Sequence, residues 1–143
     1  MQKENYEIKE NSKELHDIAN TIELVDSLIF YAYMRKASDV HIDPVDNGVV
    51  IRFRVDGVLI YIDTVSNDIH EELIARIKIL SGLRTDIHFV PQDGRFNFEK
   101  GVCMCDIRVS ILPTHYGENA VLRILIPQDK VSSLIDLGFS GFE

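Results

Sequence analysis

The sequence predicts an α+β domain of two layers, a largely antiparallel sheet with helices packed on one face. Three observations carry that expectation. Two stretches place apolar residues at helical spacing, one through Ile18, Ile22, Val25, Ile29 and Tyr33, the other through Ile69, Leu73, Ile77 and Leu80. Other stretches alternate apolar and polar residues, most clearly Val49 to Val55. Turn signals at Asn47-Gly48, Asp56-Gly57 and Lys100-Gly101 join neighbouring stretches, which favours hairpins over crossovers.

Each element follows in order. Residues 1–17 are polar and mixed in charge and read as a lead-in. Asn20 is placed to cap the first helix, with Glu23 three residues on, and the helix should end near Lys36. A short strand from Val40 is expected to stop at Pro44. Val49 to Val55 is a half-buried strand, and Val58 to Thr64 its hairpin partner. Asp68 can cap the second helix, with Glu71 as its capping-box partner. Arg76 and Lys78 sit toward that helix's end, and Gly82 is its stop. A loop through Val90-Pro-Gln-Asp-Gly leads to a short strand from Arg95, then a strand from Val102 to Ile111 and a last one from about Asn119 to Ile126. The domain therefore spans residues 18–130, and residues 131–143 read as the start of a linker.

At 143 residues with net charge −8, the chain is one acidic domain with a core of ordinary size. That balance argues against a nucleic-acid binder, because a phosphate backbone selects for positive surface. No apolar run is long enough to cross a bilayer and the first residues lack a secretory apolar segment, so the expected compartment is the cytoplasm. Cys103 and Cys105 lack zinc-site spacing and read as buried thiols. His16, His41, His70, His88 and His115 show no ligand spacing, so no metal is expected. No phosphate loop of the G-x-x-x-x-G-K-S/T form is present.

The arginines are the candidate site. Arg108 shares a strand face with Asp106, Arg123 lies between Val121 and Leu125, and Arg95 follows the turn Gln92-Asp93-Gly94. Two readings are open for them. Each arginine could pair with a nearby acid on an open sheet face, or the planar guanidinium groups could fork onto phosphate oxygens. Arg52 and Arg54 share the polar face of another strand.

Six segments, in order over about residues 21–139, resemble the secretion and type IV pilus ATPases called GspE, PilB and PilT, with the competence ATPases as kin. They are Ala37-Ser-Asp-Val-His-Ile-Asp-Pro44, Arg52-Phe-Arg-Val-Asp-Gly57, Arg76-Ile-Lys-Ile-Leu-Ser-Gly-Leu83, Pro91-Gln-Asp-Gly-Arg95, the pair Asp106 to Pro113 and Gly117 to Arg123, and Leu134 to Phe139. Asp43 departs from the more usual Glu, and Arg84 to Val90 departs from the usual connecting segment. The resemblance implies a PAS-like N-terminal domain, hinged to a RecA-like ATPase core that would begin after this match. It implies that Arg95, Arg108 and Arg123 reach the phosphates of nucleotide held on that core, and that closure couples hydrolysis to domain motion. ATP and Mg2+ belong to the full-length parent, none being expected in this chain alone, which is expected to be inactive as an ATPase. The implied partners are the core of the same protein, a homo-hexamer and inner-membrane pilus or secretion platform proteins, with the chain cytoplasmic and peripheral to that membrane. The alternative is a stand-alone PAS-like ligand-binding or adaptor module.

Overall fold

The computed structural model describes residues 21–127. The lead-in, the capping role of Asn20 and the linker expectation lie outside the described residues.

Helix α1 (Thr21–Met34) buries Leu24, Val25, Leu28, Ile29 and Ala32, whereas Ile22, expected on the inward stripe, stays exposed. Its end is closed by backbone bonds from Ala37 to Ala32 and from Lys36 to Tyr33. This is the closure glycine normally provides, yet Lys36 occupies the left-handed position with φ of 58°. Strands β1 (Asp39–Val45), β2 (Gly48–Val55) and β3 (Val58–Val65) follow as two hairpins. Asp56 and Gly57 form the second turn with φ of 52° and 80°, the conformation whose twist matches an antiparallel pair.

Helix α2 (His70–Leu80) is entered through a single 3-10 turn, Asn67–Ile69. The cap is Ser66, whose Oγ accepts from the Asp68 N–H at 3.2 Å, rather than Asp68 itself. A Ser two residues earlier offers the same acceptor and starts the turn sooner. Gly82 stops the helix as expected, at φ of 70°, with Leu83 N–H returning to the Lys78 carbonyl at 2.8 Å. The last three strands are β4 (Gln92–Lys100), β5 (Cys103–Thr114) and β6 (Gly117–Leu125).

All six strands form one sheet in the order β3-β2-β1-β6-β5-β4, with every neighbour antiparallel. One face is apolar and lies under both helices. Phe53, Val40, Leu122 and Val109 make one row of it, and Ile51, Ile42, Ala120 and Ile111 the next, all buried. Cys103 and Cys105 sit on this face, buried, with Sγ atoms 4.0 Å apart and no disulfide.

Pro44 does not stop β1. It pairs with Val49 on β2, whereas β6 accompanies β1 only as far as Ile42. A proline is tolerated where one side of the strand has no partner to receive an N–H. Pro113 is accommodated likewise, past Ile111, where the register of β4 ends at Gln92. Strand β5 therefore runs three residues further than Ile111, and β6 begins at Gly117 rather than Asn119.

Candidate functional site: an arginine row on the open sheet face

Residues alternate between the faces of a strand, so the sites of Arg95, Arg108 and Arg123 depend on register. In β4–β5 pairing Arg95 stands opposite Arg108, and in β5–β6 pairing Arg108 stands opposite Arg123. Arg123 in turn faces Asp39 on β1, and Asp39 faces Arg54 on β2. Five adjacent strands thus present one continuous row, Arg95, Arg108, Arg123, Asp39, Arg54. It lies on the face away from the helices. The three expected site residues are brought together, side by side, at strand spacings of about 4.8 Å.

Like charges directly opposite one another in a sheet are destabilising. Internal acids compensate only part of this row. Asp39, 5% exposed, holds Arg123 Nε against Oδ1 at 3.2 Å. Its Oδ2 accepts from Ser38 Oγ at 2.8 Å and lies 3.8 Å from Arg54 Nε. Arg54 also donates to the Gly57 carbonyl at 2.9 Å. Arg95 and Arg108 are exposed and, among the described residues, form no ion pair or side-chain hydrogen bond; Asp106 does not take up Arg108. The Arg123 side chain stays 65% exposed despite the ion pair. Two shallow depressions of about 370 and 420 Å³ flank Arg108 on this face, one toward Arg123, the other toward Arg95.

The neighbouring row is built differently. Arg52 donates to Asp43 Oδ2 at 2.7 Å, and Asn119 donates to Asp43 Oδ1 at 3.3 Å. Arg52 and Arg54 therefore each have an acidic partner within the sheet. His41, directly opposite Arg52, has its pKa lowered, first by burial; Asp43 and Asp39 oppose that shift, and Arg52 and Arg54 reinforce it.

A second charged cluster lies at the other face. Lys78, 1% exposed, donates to a Glu118 carboxylate oxygen and to the Ile87 carbonyl, at 2.8 and 2.7 Å. His88 Nδ1 meets Glu118 Oε1 at 2.9 Å, and His70 Nε2 bonds the Glu118 carbonyl at 2.7 Å. These residues line a cleft of about 460 Å³ between α2, the segment after it and the β5–β6 hairpin. The sequence places Lys78 toward the end of α2 but does not pair it with Glu118. The available signal was spacing: Lys78 falls four residues after Ile74, on the buried stripe of α2. Gln92 braces the segment after α2, bonding Arg84 N–H and the Arg84 and Ile87 carbonyls. A Cβ on Gly94 would sit 2.6 Å from the Ser81 carbonyl oxygen, so glycine is required where β4 passes the end of α2. Among the described residues no group of three His, Cys, Asp or Glu side chains is arranged to hold a metal ion, and no helix is long and apolar enough to cross a membrane.

A six-stranded sheet backed by two helices, with three arginines side by side on its open face, defines an α+β domain. Residues 14–143 match the family described as Type II/IV secretion system protein. The chain belongs to that family. It is 39% identical over 116 residues to the type IV pilus assembly ATPase PilB of Thermus thermophilus, covering 81% of this chain and 13% of that protein. It is 42% identical over 125 residues to type II secretion system protein E of Pectobacterium carotovorum, covering 87% of this chain and 24% of that protein. The chain thus spans a quarter or less of these relatives' length. The crystal structure of the pilus retraction motor PilT with bound ADP aligns at a TM-score of 0.48 and 20% identity, over 78% of this chain and 35% of that one.

Proposed function

We propose that this chain is the PAS-like N-terminal domain of a hexameric secretion, type IV pilus or competence ATPase. In that role Arg95, Arg108 and Arg123 meet the phosphates of nucleotide bound on a RecA-like core, and the approach of the two domains couples hydrolysis to motion. The observation that carries the reading is the row itself. Three guanidinium groups adjacent across β4, β5 and β6 raise the energy of the sheet, and two of them, Arg95 and Arg108, have no acidic partner among the described residues. An anion arriving from outside compensates all three at once, and guanidinium forks match phosphate oxygens in pairs.

Nucleotide with Mg2+, bound on the core, supplies the phosphoryl group to be transferred. This chain contributes positive charge on a rigid sheet, where charge spreads over the equatorial oxygens in the transition state. Because the arginines sit on a separate domain, they act only when the domains approach, and so nucleotide state and domain position become linked. Assembly into a hexamer, docking on an inner-membrane platform and a cytoplasmic, peripheral location follow from the same reading.

In the protein that carries the core, Arg108→Ala and Arg123→Ala should each cut ATP turnover by about 10³-fold, the scale of arginine fingers. Turnover equal to the parent's would refute the role. The alternative, a stand-alone ligand-binding or adaptor module, places its ligand in the cleft of His70, His88 and Tyr116 and predicts an affinity unchanged by alanine at the three arginines.

A further inference from the structure

We infer that Asp39 is a built-in counter-anion, holding the place of a polyphosphate in the arginine row and competing with it for Arg123. The inference rests on the proposed phosphate-contacting role of that row.

Asp39 is the single carboxylate in the row, set between Arg123 and Arg54 by the register of β1 with both neighbours. It is 5% exposed, so its charge is weakly screened by solvent, and Ser38 Oγ fixes Oδ2 at 2.8 Å. Its hold on Arg123 is one-sided. Only Nε is engaged, at 3.2 Å, and no bidentate fork forms although the guanidinium offers one. The Arg123 side chain stays 65% exposed, free at its outer edge to meet oxygens from the solvent side. Arg54 lies 3.8 Å from Oδ2 and keeps a separate bond to the Gly57 carbonyl.

Two consequences follow with opposite signs. In the empty row, Asp39 relieves repulsion among the arginines and stabilises the fold. Toward an incoming anion, the same negative charge lowers the potential of the row and occupies an arginine edge, which weakens binding. A residue that only held the sheet together would stabilise without opposing the anion. A residue that only aimed Arg123 would strengthen anion binding.

The test uses the 143-residue chain and sodium tripolyphosphate at low ionic strength, with calorimetric titration and thermal melting. Asp39→Asn retains an oxygen for Arg123 Nε and removes the charge. It should lower the melting temperature in buffer, bind tripolyphosphate about five- to tenfold more tightly than the parent, and regain its lost melting temperature when tripolyphosphate is added. Binding equal to or weaker than the parent's overturns the inference. Should Asp39→Asn not fold, the parent chain decides: the Arg123 Nε–H resonance must shift as tripolyphosphate saturates, reporting release from Asp39. A resonance that stays unchanged at saturation is contrary to the inference. Arg108→Ala separates the two levels. If it binds like the parent, the reading of the row fails. If it loses binding while Asp39→Asn gains nothing, only the counter-anion fails. An absence of binding by every chain overturns the inference, because Asp39 then has no anion to compete with.

Discussion

The arginine row and the Lys78–Glu118 cluster lie on opposite faces of the same sheet, and they solve the charge problem in opposite ways. Lys78 and Glu118 are nearly water-free, 1% and 7% exposed, and every strong charge there has an internal partner within 2.9 Å. On the open face, Arg95 and Arg108 have no internal partner among the described residues and Arg123 shares Asp39 with Arg54. The first arrangement is costly to break, because a buried charge left alone cannot recover its hydration. The second leaves like charges side by side at a modest cost, on the order of 0.2–1 kcal/mol per pair, because water screens them. What separates them is where compensation comes from. A cluster closed on itself serves the fold, whereas one left open can serve a ligand that arrives later.

The comparison can be broken by changing one member of each. Arg108→Ala should leave stability within about 0.5 kcal/mol of the parent, as surface changes do, while abolishing nearly all turnover in the protein that carries the core. Lys78→Met should do the reverse in the isolated chain, costing about 3–5 kcal/mol in a denaturant titration because Glu118 is stranded. The double change Lys78→Met with Glu118→Leu should recover most of that loss, since two apolar groups need no partner. If Lys78→Met is neutral, the buried cluster is not closed in the sense argued here.

Smaller effects sharpen the backbone part of the account. Gly94→Ala should cost about 1–3 kcal/mol, because the obstructing atom is the Ser81 backbone carbonyl and cannot swing aside. Lys36→Gly should stabilise by about 0.5–1 kcal/mol, relieving a side chain from the left-handed region at the end of α1. Midpoints of thermal or denaturant unfolding read both. The smallest effect is at His41. Burial lowers its pKa from the ordinary 6.5, so below that pH the unfolded chain takes up the proton first. Stability from this group is present above 6.5 and is lost as pH falls through the folded value. His41→Gln should flatten that slope, seen as a smaller drop in melting temperature on acidification.

Much of the fold was legible where local chemistry decides. Asp56-Gly57 announced a two-residue hairpin, and Gly82 the end of α2, because both need a positive φ that the chain signals with glycine. Lys36 closes α1 in the same way without a glycine, so only its charge was readable. Pro44 looked like a strand terminus because its missing N–H matters only if a neighbour wants it, and which neighbour stands there is a tertiary fact. The same limit applies to the site. Arg95, Arg108 and Arg123 could each be placed on a strand from the sequence. That they fall in one row depends on two hairpin registers, and that Asp39 joins them depends on the pairing of β1 with β6, 84 residues away in the chain. Lys78 was missed because a lysine on a helix's last turn suits the helix dipole equally well when exposed.

The most direct test changes Arg95, Arg108 and Arg123 together to alanine in the protein that carries the nucleotide-binding core, and measures ATP turnover beside the unfolding midpoint. The account predicts turnover reduced by at least about 10³-fold in a protein that still unfolds cooperatively, the relief of repulsion in the row partly offsetting the loss of the Arg123–Asp39 ion pair. Turnover within twofold of the parent, roughly the resolution of such rate comparisons, would contradict it.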